Sequence, residues 1–328
     1  MAILDDYDYD LPERLIAQHP ADERDASRLL VVGGVTISHK TFRDLPDCLT
    51  PGDLLVVNDT RVFPARLIGR KEATGGEVEI FLLHPAGNGS WEALCRPARR
   101  LKEGTVVVFG DGCLRAVVEG RGESGHLMVR LESEGDVDES VDRVGRIPLP
   151  HYIRREPEKD DIERYQTVYA RHRGAAAAPT AGLHFTPGML ELLAARGIHH
   201  VPVTLHVGIG TFRPLTEETA AGDRLHAEYC RVGPETAAAV RDARARNGRV
   251  VAVGTTSVRA LETASASGMI APFEGWTDLF IRPGYRFRSV DALITNFHLP
   301  RSSLLMLVCA FAGRERVLGA YREAVREG

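Results

Sequence analysis

The sequence predicts a mixed α/β protein. A barrel-like α/β main domain is built from both chain ends, residues 1–65 and 148–328, and a small all-β barrel is inserted at 66–147. Three observations carry this. Strand-like and helix-like segments alternate after residue 148, and the strands are nearly continuous apolar runs, the pattern of a parallel sheet covered on both faces. Between 66 and 147 the texture changes to short alternating segments separated by turn residues. The 328 residues, 44% hydrophobic and 26% charged, suffice for one large core plus a second unit.

The elements follow in order. "LPERLIAQHP" suggests a short helix opened by Pro12, and "DLLVVND" (53–59) is an apolar strand running into a polar turn. The insert reads as six strands, "ARLIGRK", "GEVEIFLLHP", "SWEALCRPA", "TVVVFG", "CLRAVVEG" and "GHLMVRLE", with no helix-length period among them. Beyond it, "TPGMLELLAARG" is a helix closed by Gly197 and "HHVPVTLHVG" a strand. "GPETAAAVRDARARNG" is a helix with Pro234 in its first turn and Asn247-Gly248 as its stop. "RVVAVG" is a strand, "TTSVRALETASASG" a helix capped by Thr or Ser, and "VDALITNF" with "SSLLMLVCAFAG" repeats the theme.

Composition narrows the function. The longest apolar run, "LLMLVCAFAG", is far short of the roughly 18–20 residues of a membrane span. The acidic start "MAILDDYDYD" lacks signal-peptide architecture, and five cysteines without a CxxC favour neither a disulfide framework nor structural zinc; a reducing cytoplasm and a monomer are expected. The net charge of −4 excludes a polycation, yet "CRPARRLK", "YARHRG", "RDARARNGR" and "IRPGYRFR" are local basic clusters in which an anionic partner could be held.

Polar turns fall at the ends of the apolar strands: "NDTR" (58–61), "HVGIGTF" (206–212), "GTTSVR" (254–259) and "TNFHLP" (295–300). Open or barrel-shaped α/β folds bind ligands at strand carboxyl ends. Gly254 permits close backbone approach, and Thr255, Thr256 and Ser257 offer hydroxyls at a helix start, suited to a carboxylate, phosphate or ribose; simple capping explains the same residues. "GIG" lacks the third glycine of a dinucleotide fingerprint. His184, His206, His226 and His298 show no metal-type local pairing, so no metal is expected. Imidazole titrates near neutrality and suits proton transfer, and His226 with Glu228 in "RLHAEY" would share one face of an extended segment. A surface ion pair would read identically.

On these residues the sequence resembles the S-adenosylmethionine:tRNA ribosyltransferase-isomerase family of queuosine biosynthesis. The matching segments span nearly the whole chain, among them "NDTRVFPARL", "IPLPHYIRR", "ERYQTVYA", "AAPTAGLHFT", "HVGIGTFRPL", "HAEY", "VGTTSVRALE" and "DALITNFHLPRSSLLMLVCAFAG". Leu225 and Cys230 stand where methionine and an aromatic residue are usual, and Arg282 where tyrosine is frequent. The resemblance implies transfer of the ribosyl part of S-adenosylmethionine to 7-aminomethyl-7-deazaguanine at the tRNA wobble position, giving epoxyqueuosine, adenine and methionine. S-adenosylmethionine is then a consumed substrate, no other cofactor is expected, and the macromolecular partner is an anticodon loop carrying the precursor base.

That chemistry needs a base for a C5′ hydrogen made acidic by the sulfonium, and an acid for departing adenine. His184, His206, His226, Glu228 and His298 are the candidates, with His184 and the His226/Glu228 pair foremost. Asp59, Thr60, Arg61, Thr180, Gly182, Gly208, Gly210, Thr211, Thr255, Thr256, Ser257, Arg259 and Asn296 are candidates to bind S-adenosylmethionine. Arg99 and Arg100, and Arg282, Tyr285, Arg286 and Arg288, are candidates for RNA contact. A methyltransferase would be distinguished by S-adenosylhomocysteine among its products. A non-catalytic RNA-binding module fits poorly with so many polar strand ends, and a phosphoribosyltransferase-like enzyme lacks an acidic pair before "GTTS".

Overall fold

The computed structural model describes residues 3–34, 36–122, 125–208 and 215–328. The chain opens with a hairpin, β1 (Arg28–Val32) and β2 (Ile37–Thr41), before the buried strand β3 (Leu54–Asn58) and the short β4 (Thr60–Val62). Next come β5 (Arg66–Lys71), β6 (Glu77–Gly87), β7 (Ser90–Arg96), β8 (Val106–Phe109), β9 (Leu114–Arg121) and β10 (Leu127–Glu132), which close antiparallel into a barrel in the order β10-β7-β6-β5-β8-β9. Every second residue points inward, as in β9, where Leu114, Ala116 and Val118 are buried. These six strands are the six read from the sequence.

The acidic stretch after β10 differs from the expectation of an all-β insert. It forms helix α1 (Val137–Val144), begun by Asp136, whose carboxylate accepts from the Glu139 N–H at 2.9 Å. Val141 is buried in the barrel core and Val137 and Val144 pack against it, so three valines on one face of an otherwise charged segment dock the helix.

After α2 (Asp161–Arg164) and β11 (His172–Ala175), which pairs parallel with β4, the alternation begins. In order come α3 (Pro187–Ala195), β12 (His199–Leu205), α4 (Glu217–Ala221), β13 (Arg224–Val232), α5 (Pro234–Ala245), β14 (Val250–Val253), α6 (Thr255–Ala264), β15 (Phe273–Leu279), β16 (Ala292–Ile294), α7 (Ser303–Ala312) and α8 (Arg314–Arg326). The main sheet has the order β15-β13-β12-β3-β14-β16. Strands β12, β3, β14 and β16 run parallel, and β13 and β15 extend the sheet antiparallel. Alternate residues of β3 divide between two cores. Leu54 and Val56 pack with α5 and α6 on one face; Leu55 and Val57 pack with Phe185, Met189 and Leu193 on the other. Burial on both faces explains the unbroken apolar runs. Strand closure belongs to the inserted unit; the main sheet ends at β15 and β16 among the described residues.

Candidate active site

Because β12, β3, β14 and β16 are parallel neighbours, the four polar turns that follow them emerge on one side of the sheet. Asn58 welds two of these ends. Its side-chain oxygen accepts from the N–H groups of Leu205 (3.0 Å) and Thr60 (3.2 Å), and its amide donates to the Leu205 carbonyl (3.0 Å). Asp59 is buried and accepts from the Thr204 hydroxyl at 2.7 Å, with His172 Nε2 3.6 Å from its other oxygen. The Thr204 bond joins the ends of β3 and β12, while Arg61 is exposed.

Thr60 Oγ1 lies 2.7 Å from His206 Nδ1, and the imidazole stacks on Tyr229 at 5.3 Å between centroids. A Cβ on Gly174 would come within 2.6 Å of His206 Nε2, so the ring takes the space a side chain would need. Burial, aided by nearby His172, pushes the His206 pKa down to about 4. The ring is therefore neutral at pH 7. Two residues on, the Gly208 N–H donates to Glu228 Oε1 at 2.9 Å, and Arg259 of α6 bonds the other carboxylate oxygen. The guanidinium also donates through Nε to the Leu279 carbonyl at 3.1 Å. Both side chains of this pair are buried.

These groups line a cleft of about 1100 Å³ between the main sheet and the inserted barrel. The sheet side presents His206, Gly208, His226, Glu228, Tyr229 and Arg259; the barrel side presents His84, Trp91, Glu92 and His126. His226 is exposed beside the buried Glu228, and both line the cleft, as their spacing on one strand suggests.

The remaining candidates among the described residues lie outside this lining. His184 ends the turn Thr180–His184, with Nε2 3.1 Å from Asn296 Oδ1 and its ring 5.2 Å from Phe42; burial lowers its pKa. Gly182 sits against Tyr169, whose hydroxyl is 2.1 Å from where a Cβ would be. At the start of α6 the expected Thr or Ser cap is replaced by Gly254, at φ +87°, with no side-chain cap bond. Ser257 donates back to the Val253 carbonyl at 2.7 Å, Thr255 is buried, and Thr256 Oγ1 is buried without a hydrogen-bond partner among the described residues. His298 is clamped through its backbone, its N–H donating to Tyr321 Oη (3.1 Å) and its carbonyl accepting from Tyr9 Oη (2.6 Å). Burial lowers its pKa to about 4. Gly210 and Thr211 lie outside the described residues. Tyr285 donates to the buried Glu262 at 3.1 Å and packs on Phe287, an internal role rather than an open stacking face.

Sequence reading missed Tyr229, Trp276 and the barrel wall of His84, Glu92 and His126. The available signal was the exposed aromatic in the alternating segment "FEGWTDL"; the barrel residues carry no local motif. Among the described residues, no group of three or more His, Cys, Asp and Glu side chains is arranged to hold a metal ion.

The family model described as "Queuosine biosynthesis protein" matches residues 4–328. The S-adenosylmethionine:tRNA ribosyltransferase-isomerase of Symbiobacterium thermophilum is 53% identical, over 99% of this chain and 95% of the relative. The protein of the same name from Anaeromyxobacter sp. is 56% identical over 98% and 94%. A crystal structure of S-adenosylmethionine tRNA ribosyltransferase from Thermotoga maritima aligns over 98% of this chain and 95% of that one, with 40% identity and a TM-score of 0.55. With a family model over residues 4–328 and relatives above 50% identity matched over nearly their full length, this chain belongs to the queuosine biosynthesis family of S-adenosylmethionine:tRNA ribosyltransferase-isomerases.

Proposed function

We propose that this chain transfers and isomerises the ribosyl moiety of S-adenosylmethionine onto 7-aminomethyl-7-deazaguanine at the tRNA wobble position, releasing adenine and methionine and leaving epoxyqueuosine. The observation that carries the reading is the cleft itself. A neutral imidazole and a carboxylate–guanidinium pair face one space walled by two structural units.

In this reading S-adenosylmethionine occupies the inner cleft. The Glu228 carboxylate, bonded by Arg259 and the Gly208 N–H, lies towards the sulfonium. His206, whose ring faces the cleft, takes the C5′ proton. As the glycosidic bond breaks, its electrons go to adenine, which takes a proton from the exposed His226. The C5′ electron pair expels the C4′ ring oxygen, which becomes the C1′ carbonyl as adenine departs. The substrate amine adds at C4′ and gives up a proton, and the C5′ carbanion so formed closes on C1′. The C1′ alkoxide displaces methionine, which leaves with the C–S bonding pair as the epoxide forms. His184 and His298, which lie outside the cleft lining, act as positioning residues for the 295–298 turn. Asp59 and Thr60 hold the strand ends that carry His206.

Both cleft walls come from a single chain, which supports a monomeric working unit, and a tRNA substrate is consistent with a cytoplasmic reaction. Residues 1–65 with 148–328, and 66–147, act as its two domains. The exposed Arg99 and Arg100 of the insert contact the tRNA backbone. The test is incubation with S-adenosylmethionine and tRNA bearing the precursor base. Stoichiometric adenine and methionine are expected; S-adenosylhomocysteine in their place would mean methyl transfer and overturn the reading.

A further inference from the structure

Trp276 lies on β15 directly across from Tyr229 on β13, and 52% of it is exposed. Its ring meets two others edge to face, Tyr229 at 6.3 Å and, from the inserted barrel, His84 at 5.0 Å. Since Tyr229 in turn stacks on His206, a row of four rings runs from the end of β12 across the cleft to β6. The barrel end of the row is braced. His84 Nε2 and His126 Nδ1 each lie 2.6 Å from a different oxygen of Glu92. His126 is thus held through Nδ1 by the Glu92 carboxylate, and its buried Nε2 has no hydrogen-bond partner among the described residues.

We propose that Trp276, flanked by Tyr229 and His84, is the platform on which an unpaired base of the substrate's anticodon loop stacks. The proposal rests on the function above. A half-exposed tryptophan beside other rings offers a large apolar face, and every nucleobase has a complementary π-face. Sequence-specific RNA recognition works on such splayed bases, and an enzyme that modifies a base must bring it out of its neighbours' stack. The location favours RNA over the adenine of S-adenosylmethionine. Trp276 is open to solvent, where a macromolecule enters, whereas the Glu228–Arg259 pair that suits the small molecule is buried.

The chain has two tryptophans, Trp91 and Trp276, and both line the cleft, so intrinsic fluorescence reports on it directly. An anticodon stem-loop carrying the precursor base is expected to quench Trp276 emission in the W91F variant. In steady state, W276A is expected to raise KM for tRNA about 5- to 100-fold, the counterpart of losing one base stack, with KM for S-adenosylmethionine within twofold; W276F restores most of the loss. A raised KM for S-adenosylmethionine with tRNA unaffected, or no change in either, overturns the platform. Failure of the wild-type enzyme to release adenine would instead overturn the proposed function, while the quenching titration would still test stacking.

Discussion

Glu228 on β13 and Arg259 on α6 meet with 6% and 7% of their side chains exposed, tying a strand, a helix and the Gly208 turn together at the cleft. A buried ion pair contributes little net stability compared with an apolar pair of equal size, but removing one partner strands the other charge away from water. The pair therefore makes the site intolerant of single substitutions.

From this, R259A is expected to lower the unfolding free energy by about 3–5 kcal/mol, and E228Q to be destabilising as well because it leaves the buried Arg259 cation with only the Leu279 and Thr277 carbonyls. Urea unfolding of both variants checks this. Equal stability of R259A and the wild type would mean that the pair is solvated.

The space beside His206 is a second sensitive point. Methyl substitution in G174A places a carbon 2.6–2.8 Å from three ring atoms, so the imidazole must leave its place between Thr60 and Tyr229. A catalytic group displaced by about 1 Å can lose about 100-fold in rate. G174A is expected to lower kcat about 10- to 100-fold while KM for S-adenosylmethionine changes little. An undiminished kcat in the folded variant would remove His206 as the base.

Much of this was legible in the sequence, for identifiable reasons. The six barrel strands show because inward residues recur every second position and glycine-rich turns separate them. The four strand ends show because strands buried on both faces must be apolar until they leave the sheet. Helix α1 was hidden, since its charged composition resembles a solvated loop and its valines, Val137, Val141 and Val144, read as one face only once docked on the barrel. The Glu228–Arg259 pair and the ring row from His206 to His84 were hidden for another reason. Their members are far apart in sequence, on different elements, and only the register of β13 with β15 and the approach of the barrel bring them together.

The buried histidines also predict how stability responds to acid. His206 and His298 have pKa values of about 4 when folded, against about 6.5 for an unperturbed histidine. Between these values the unfolded chain binds protons that the folded chain does not, so stability falls as pH drops from about 6.5 towards 4 and is level above that window. Burial lowers the His184 and His200 values as well, which adds in the same direction. Asp161, held below the usual carboxylate range by its Arg155 hydrogen bonds, loses its contribution only below about pH 4. The urea midpoint is expected to decline from pH 6.5 to 4.5, and less steeply in H298N. An identical slope in H298N would show that His298 is accessible to protons in the folded state.

The insert's basic cluster supplies the last prediction. Arg99 and Arg100 are exposed at a turn after β7, and Lys71 Nζ donates to the Arg100 carbonyl at 2.7 Å, which fixes the backbone while leaving both guanidinium groups in solvent. Cations so placed attract phosphates through released counterions, and the salt dependence of binding counts them, at about 0.7 in the slope per contact on single-stranded RNA. The double reversal R99E/R100E is expected to weaken tRNA binding and to shallow the plot of log K against log salt by about 1.4 if both touch the backbone. KM for S-adenosylmethionine should stay at the wild-type value, because neither side chain lines the cleft. A wild-type affinity and slope would assign the cluster to plain solvation and leave the cleft's own rings to hold the RNA.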